Sequence, residues 1–158
     1  AEMLVLSGLA SDREEGKSLC RRALGSGKGL EKLAAMIEAQ GGDPEVTENV
    51  GLLPRAARAL PVTSDRSGWV GQMDAQAIGE AAMLLGAGRL TKDDSIDHAV
   101  GITMKKRIGD RVEKSDELAV FHVNKENELE RAVEVLKDAV HIREQQATLP
   151  QLIHSLIE

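Results

Sequence analysis

Aromatic residues are nearly absent from this 158-residue chain: Trp69 and Phe121 are the only two, and there is no tyrosine. Without further rings there is no platform on which successive bases of a nucleic acid could stack. Any core must therefore be built from Leu, Ile, Val, Met and Ala. Cysteine is represented by Cys20 alone, which excludes an internal disulfide and points to a reducing compartment. No apolar run is long enough to span a bilayer, and no signal peptide is recognisable, so the chain reads as cytoplasmic. Cationic residues are also in deficit. Twenty Lys and Arg against 26 Asp and Glu leave a net charge of −6, the wrong sign for a nucleic-acid or membrane-surface role. Internal repeats and low-complexity segments are missing as well.

What is present is ordinary for a soluble globular protein: 42% apolar and 29% charged residues. A chain of this length buries roughly 68–70% of its unfolded surface, enough for one sizeable domain or for a small domain plus part of another. The most organised stretch is 72–94, QMDAQAIGEAAMLLGAGRLTKDD. Asp74 is placed to cap a helix by accepting the free amide hydrogens of its first turn. Ile78, Ala81, Ala82 and Leu85 then recur at helical spacing on one face. Gly86 and Gly88 stand where the helix ends and positive φ is expected. On this reading 59–74 and 97–124 are two β halves joined by the helix.

Upstream, 2–9 is apolar on nearly all sides, as suits a helix end buried in something larger. Ser11 and Glu14 have capping-box spacing and open a helix whose stripe is Leu19, Cys20, Ala23 and Leu24. A turn at 25–29 leads to a second helix marked by Leu30, Leu33, Ala34 and Ile37, closed by Gly41 and Gly42. Asp43-Pro44 can start a further short turn with proline at its first position. Around Leu53-Pro54 the periodicity changes from helical to alternating, and a boundary is expected there. Downstream, 59–65 and 68–74 suggest a hairpin about 65–68. Val100, Ile102 and Met104 share one strand face; Ala119, Phe121 and Val123 share another. Between them IGDRVEKSDE reads as a polar connection. Leu129, Ala132, Val133 and Leu136 mark a long helix after a cap at Asn124 or Asn127. A closing strand is expected at 140–143, and an apolar-patterned tail at 149–158.

Several local patterns touch on chemistry. Gly25-Ser26-Gly27-Lys28-Gly29 has the flavour of a phosphate loop, yet a Walker A loop needs GxxxxGK[ST] after a strand. Here residue 29 is Gly and a helix precedes, so a helix–helix turn is expected. Gly86-Ala87-Gly88-Arg89 follows a helix, and the negative pole of a helix dipole repels phosphate; a C-cap accounts for it. Lys105, beside Gly109, Asp110 and Val112, has the look of a biotinyl or lipoyl lysine. In those domains the GDxV segment precedes the lysine, whereas here it follows, so Lys105, Lys106 and Arg107 are expected to form a solvated, unmodified edge. His98, His122, His141 and His154 show no ligand spacing with one another or with Cys20. Taken from the residues alone, no catalytic, cofactor-binding or metal site can be assembled.

With these segments laid out, the chain resembles the C-terminal part of the pyrimidine-nucleoside phosphorylases, in the thymidine phosphorylase family. The matching stretches are SGKGLEKLAAMIEAQGGDP (26–44), SGWVGQMDAQAIGEAAMLLGAGR (67–89), IDHAVGITMKKRIGDRVEKSDELAVFHVNKEN (96–127) and PQLIHSLIE (150–158). AAMLLGAGR and LIHSLI look more like the broad-specificity bacterial pyrimidine enzymes than the strict thymidine enzymes. One departure is Ser115, where relatives usually carry a turn glycine.

The resemblance implies an α+β fold. Residues 1–54 would be the last helices of an α/β domain, and 55–158 a C-terminal α/β-hammerhead unit like a barrel-sandwich of short strands. It further implies an enzyme that uses inorganic phosphate to cleave pyrimidine nucleosides into free base and ribose or deoxyribose 1-phosphate, working as a homodimer. The family's phosphate-binding segment, of the form KHSTGGVGDK, its pyrimidine-holding Arg, Ser and Lys, and its potassium-site segment all belong earlier in the family's chain. No catalytic, substrate, cofactor or metal residue is therefore carried over to these 158 residues, which are expected to be structural and inactive alone, and to self-associate through 1–41. Two alternatives stand beside this reading: a fragment of a thymidine-specific phosphorylase, and a free-standing barrel-sandwich carrier or interaction module.

Overall fold

The computed structural model describes residues 1–89, 91–151, 153, 155 and 157. Of the expected tail, Leu152, His154, Leu156 and Glu158 lie outside the described residues, as does Leu90. The chain divides into two compact units, Ala1–Leu53 and Pro54–Glu158.

The first unit holds three helices: α1 (Glu2–Leu6), α2 (Arg13–Gly25) and α3 (Lys28–Ala39). Asp12, not Ser11, caps α2, accepting from the Glu15 backbone N–H at 2.9 Å. Glu15 reaches back to the Ser11 backbone N–H at 2.7 Å and to its hydroxyl at 2.6 Å. The cap thus sits one residue later than expected, because Asp competes as well as Ser for the cap position. Glu15 returns to the residue before the cap and not to the cap's own N–H as in a full capping box. The expected buried stripe of α2 is not buried: Cys20, Ala23 and Leu24 are exposed and Leu19 is half-buried. Helical spacing marks which residues share a face, but burial needs a partner surface, and within this unit only Ala10 and Gly16 are buried. After α3 comes Asp43, whose carboxylate accepts from the Glu45 N–H at 2.9 Å and starts a 3₁₀ turn over Pro44–Thr47.

The second unit carries six strands and two helices among its described residues: β1 (Arg58–Thr63), β2 (Gly68–Met73), α4 (Ala75–Ala82), β3 (Gly101–Met104), β4 (Arg111–Val112), β5 (Glu117–Val123), α5 (Leu129–Ala139) and β6 (Val140–Arg143). They make two antiparallel three-stranded sheets, ordered β1-β5-β3 and β4-β2-β6. The expected hairpin between 59–65 and 68–74 does not form. β1 pairs with β5, Leu60 facing Phe121, while β2 pairs with β4 and β6. The turn between β1 and β2 instead passes the chain from one sheet to the other. It is held by the Ser64 N–H on Asp116 O at 2.9 Å and the Ser115 N–H on Ser64 O at 2.8 Å. Nor do two β halves flank α4, since both sheets draw strands from either side of it.

The organising element is β5. Ala119, Phe121 and Val123 point into a core with Val62, Val100, and Ala81, Leu85, Ala132 and Leu136 of the helical layer. Leu118, on the opposite face, joins Val70, Val112 and Val140 in a second core. Val112 is fully buried, although it sits in the stretch expected to be a polar connection. A two-residue strand is too short to show alternation, so its pairing partner alone reveals it.

Asp74 caps α4 as expected, accepting from Gln76 and Ala77 N–H groups at 2.9 and 3.1 Å. The helix then widens into a π-turn over Met83–Ala87, where Gly86 takes φ +100°. Gly88, by contrast, is extended at φ −149°. Its requirement is closeness: a Cβ there would stand 2.6 Å from Met83 Cγ. Helix α5 starts after Glu128 with no side-chain cap, so neither Asn124 nor Asn127 has the expected role.

Ser115 is the one non-glycine residue at positive φ among the described residues, at +74°. Its side chain is exposed, while the left-handed backbone is costly for any residue with a Cβ. Ser115→Gly should stabilise the second unit by about 0.5–1 kcal/mol, the strain relieved less the extra entropy glycine gains when unfolded. A urea midpoint lower than that of the parent chain would contradict it.

Candidate functional site

A polar hollow of about 430 Å³ in the second unit lies where the β1–β2 turn meets the α5–β6 junction. Its floor is Leu118 and Val140, and Ser64, Arg66, Lys137 and His141 reach into it. Lys137 Nζ donates to both oxygens of Asp65, at 2.9 and 3.0 Å, across 72 positions of sequence. Ser64 is 3% exposed, the buried hydroxyl that a nucleophile search would stop at. Its Oγ donates to Arg66 O at 2.6 Å and accepts from the Arg66 N–H at 3.3 Å. No base is bonded to it, so it is a turn staple and not an activated nucleophile.

Two further polar knots hold the loops. The Asn124 amide accepts the Ala57 N–H at 2.7 Å and donates to Asp97 Oδ2 at 2.7 Å. Asp97 Oδ1 in turn takes the Ala99 N–H at 3.0 Å, and its own N–H meets Gly86 O at 3.0 Å. One side chain from the end of β5 thus ties the entry to β1, the loop before β3 and the π-turn. The second knot centres on Asp116 Oδ2, which takes Lys106 Nζ at 2.9 Å and the Glu113 N–H at 3.1 Å. Lys106 is therefore pinned inward and donates also to Arg111 O at 3.2 Å; only Lys105 and Arg107 of the expected solvated edge are exposed.

These bonds hold both carboxyls below their ordinary pKa. For Asp97 the Asn124 amide is the chief cause, followed by the Ala99 N–H. For Asp116 it is the Lys106 ammonium, followed by the Glu113 N–H. A carboxyl depressed in the folded state adds stability above its unfolded pKa and loses it as the pH falls through the folded value. Urea midpoints for the second unit should hold down to about pH 5 and decline below about pH 4. The double variant Asp97→Asn, Asp116→Asn should flatten that decline; an equally steep fall in the variant would rule these two groups out as its origin.

The weighed candidates are not brought together. Gly25–Gly29 is the link between α2 and α3, with Gly27 as the first helix-flanking residue of α3. His122 Nε2 lies 2.9 Å from Thr103 Oγ1 on the neighbouring strand, whereas His98 and His141 are exposed, in the loop before β3 and on β6. His154 lies outside the described residues. Among the described residues no three His, Cys, Asp or Glu side chains converge as metal ligands would, and no helix is long and apolar enough to cross a membrane. The residues that sequence reasoning missed are those of the knots, Asp97, Asn124, Lys106 and Asp116. They meet across 27 and 10 positions, beyond the reach of any local spacing rule.

This scaffold has recognisable relatives. Residues 69–143, from β2 to the end of β6, match the family described as pyrimidine nucleoside phosphorylase C-terminal domain. The match lies within the second unit and leaves residues 1–68 outside it. Over 157 residues it is 39% identical to the pyrimidine-nucleoside phosphorylase of Bacillus subtilis (strain 168) and 40% identical to that of Staphylococcus haemolyticus (strain JCSC1435). The protein of that name from Staphylococcus aureus (strain USA300) is 39% identical over the same length. Each alignment covers 99% of this chain but 36% of the relative, so the chain spans about a third of the length of the curated relatives it matches. The residues matched by the pyrimidine nucleoside phosphorylase C-terminal domain run from β2 through α4 and α5 to β6.

Proposed function

We propose that these residues serve as the scaffold of a pyrimidine-nucleoside phosphorylase, a pentosyltransferase that cleaves uridine and thymidine with inorganic phosphate to free base and pentose 1-phosphate. The observation that carries this reading is the similarity, over 157 residues, to proteins of that name. In this reading the catalytic groups, the phosphate site and any potassium site lie in segments outside the 158 residues. The division at Leu53 and Pro54 is the boundary between the tail of an α/β domain and an α/β-hammerhead unit, and the intact enzyme is a cytoplasmic homodimer. Transition-state stabilisation needs pre-placed donors where charge develops, and in this reading those donors lie in the segments outside the 158 residues. Purified alone, the chain should release no free base from uridine or thymidine in phosphate.

A graft tests the positive half. The corresponding stretch of the Bacillus subtilis relative is replaced by these 158 residues, and phosphorolysis of both nucleosides is followed. A folded, soluble chimera that turns over uridine and thymidine supports the reading. Turnover of thymidine alone favours the thymidine-restricted alternative. A folded chimera with no activity on either counts against the scaffold role.

A further inference from the structure

The outer face of the sheet β4-β2-β6 carries an arrangement that the scaffold role does not use. Val70 and Val112 are fully buried, so Trp69 and Arg111, their neighbours along the strands, stand on the opposite face. The register places Trp69 opposite Arg111 on one side and opposite Arg143 on the other, and residues directly paired across strands share a face. The result is a row, Arg111–Trp69–Arg143, with the chain's single tryptophan half-buried between two exposed arginines. Beside it the pairing of β2 with β6 shifts between Val70 and Gln72, which makes Gly71 the bulge residue. A Cβ on Gly71 would lie 2.5 Å from Arg143 Cδ and 2.8 Å from its Nε. Arg143 therefore lies across the strand backbone, held over the sheet next to the indole.

We infer that this row is a docking surface for an acidic segment of another protein, one with two carboxylates about 10 Å apart and an apolar group between them. That spacing is two inter-strand distances, the separation of β4 from β6. Tryptophan and arginine are the residues that anchor protein interfaces most strongly, and guanidinium groups take carboxylates in a two-pronged, directional way. Arg143 makes no ion pair among the described residues, and Arg111 is bonded to Glu113 at 3.0 Å with both side chains largely exposed. A surface pair of that kind exchanges readily for another carboxylate. A nucleic acid fits less well, since it needs a continuous cationic track and further stacking rings, and the chain is acidic overall. The inference stands on this face alone and does not depend on the enzymatic reading.

Trp69 makes the test direct, because with no other tryptophan and no tyrosine the fluorescence of the 158-residue chain reports this face. A deca-glutamate peptide is titrated against the chain, with deca-lysine and an oligodeoxythymidylate of equal length as controls. The expected result is a saturable change with deca-glutamate that weakens with added salt and is absent with deca-lysine. In the double variant Arg111→Gln, Arg143→Gln, at matched folded fraction, affinity should drop at least tenfold. No response to deca-glutamate, unchanged affinity in the double variant, or tighter binding of the oligodeoxythymidylate would each overturn the inference.

Discussion

Phe121→Ala should lower the unfolding free energy of residues 54–158 by about 3–5 kcal/mol. Domains of this size are stable by about 5–15 kcal/mol, so the variant should unfold at little or no urea. The side chain is 0% exposed at the middle of the central strand, flanked in register by Leu60 on β1 and Ile102 on β3. The helical layer covers it through Ala81, Leu85, Ala132 and Leu136. With so few aromatics in the chain, no second large ring can move in to fill the space, and the cavity term is retained in full. Trp69 fluorescence across a urea series reads the second unit alone. Phe121→Leu should cost less than half as much. A loss below about 1 kcal/mol for the alanine variant would mean that this core can close over the gap.

The second large effect concerns the first unit. Met3, Leu6, Leu9 and Leu24 are 81%, 87%, 67% and 77% exposed, and Leu30, Leu33 and Met36 are 42%, 41% and 51% exposed. So many large apolar side chains exposed in one short unit mark an interaction site or an aggregation liability. Each such side chain left in water forgoes about 1.5–3 kcal/mol of burial. The isolated chain should therefore associate through residues 1–41 as concentration rises, or fray there when dilute, while 58–143 stays folded. Light scattering on a dilution series reads the first outcome, and limited proteolysis the second. Leu6→Glu with Leu24→Glu should abolish the association. A strict monomer in which 1–41 resists protease would show that these helices have a core of their own.

How far the fold was legible depends on the range of the interactions involved. Asp74 and Asp43 announce their turns because a carboxylate and the amides it accepts lie within three residues. Even the misplaced cap of α2 was wrong by a single position. The inward row Ala119, Phe121 and Val123 was visible as alternation, and β6 as a short apolar run. Strand partnership was not visible. Nothing in 59–74 distinguishes a hairpin from two strands in different sheets; that choice lies with β5, more than fifty positions downstream. The knots were invisible for the same reason, since Asn124 and Ala57 are 67 positions apart.

By itself, then, the sequence determined the composition of the cores, the turns that Asp74 and Asp43 open, and the resemblance that the family comparison bore out. Caps, periodicity and motif are properties of neighbouring residues, and local sterics and hydrogen bonding settle them. Only the tertiary structure decided that β1 leaves β2 for β5, that Val112 is buried in a polar-looking stretch, that Lys106 turns inward to Asp116, and that Trp69 stands between two arginines. Each of these joins segments distant along the chain, and the loop-closure entropy that opposes such contacts is overcome only when the two sheets and the helical layer close together.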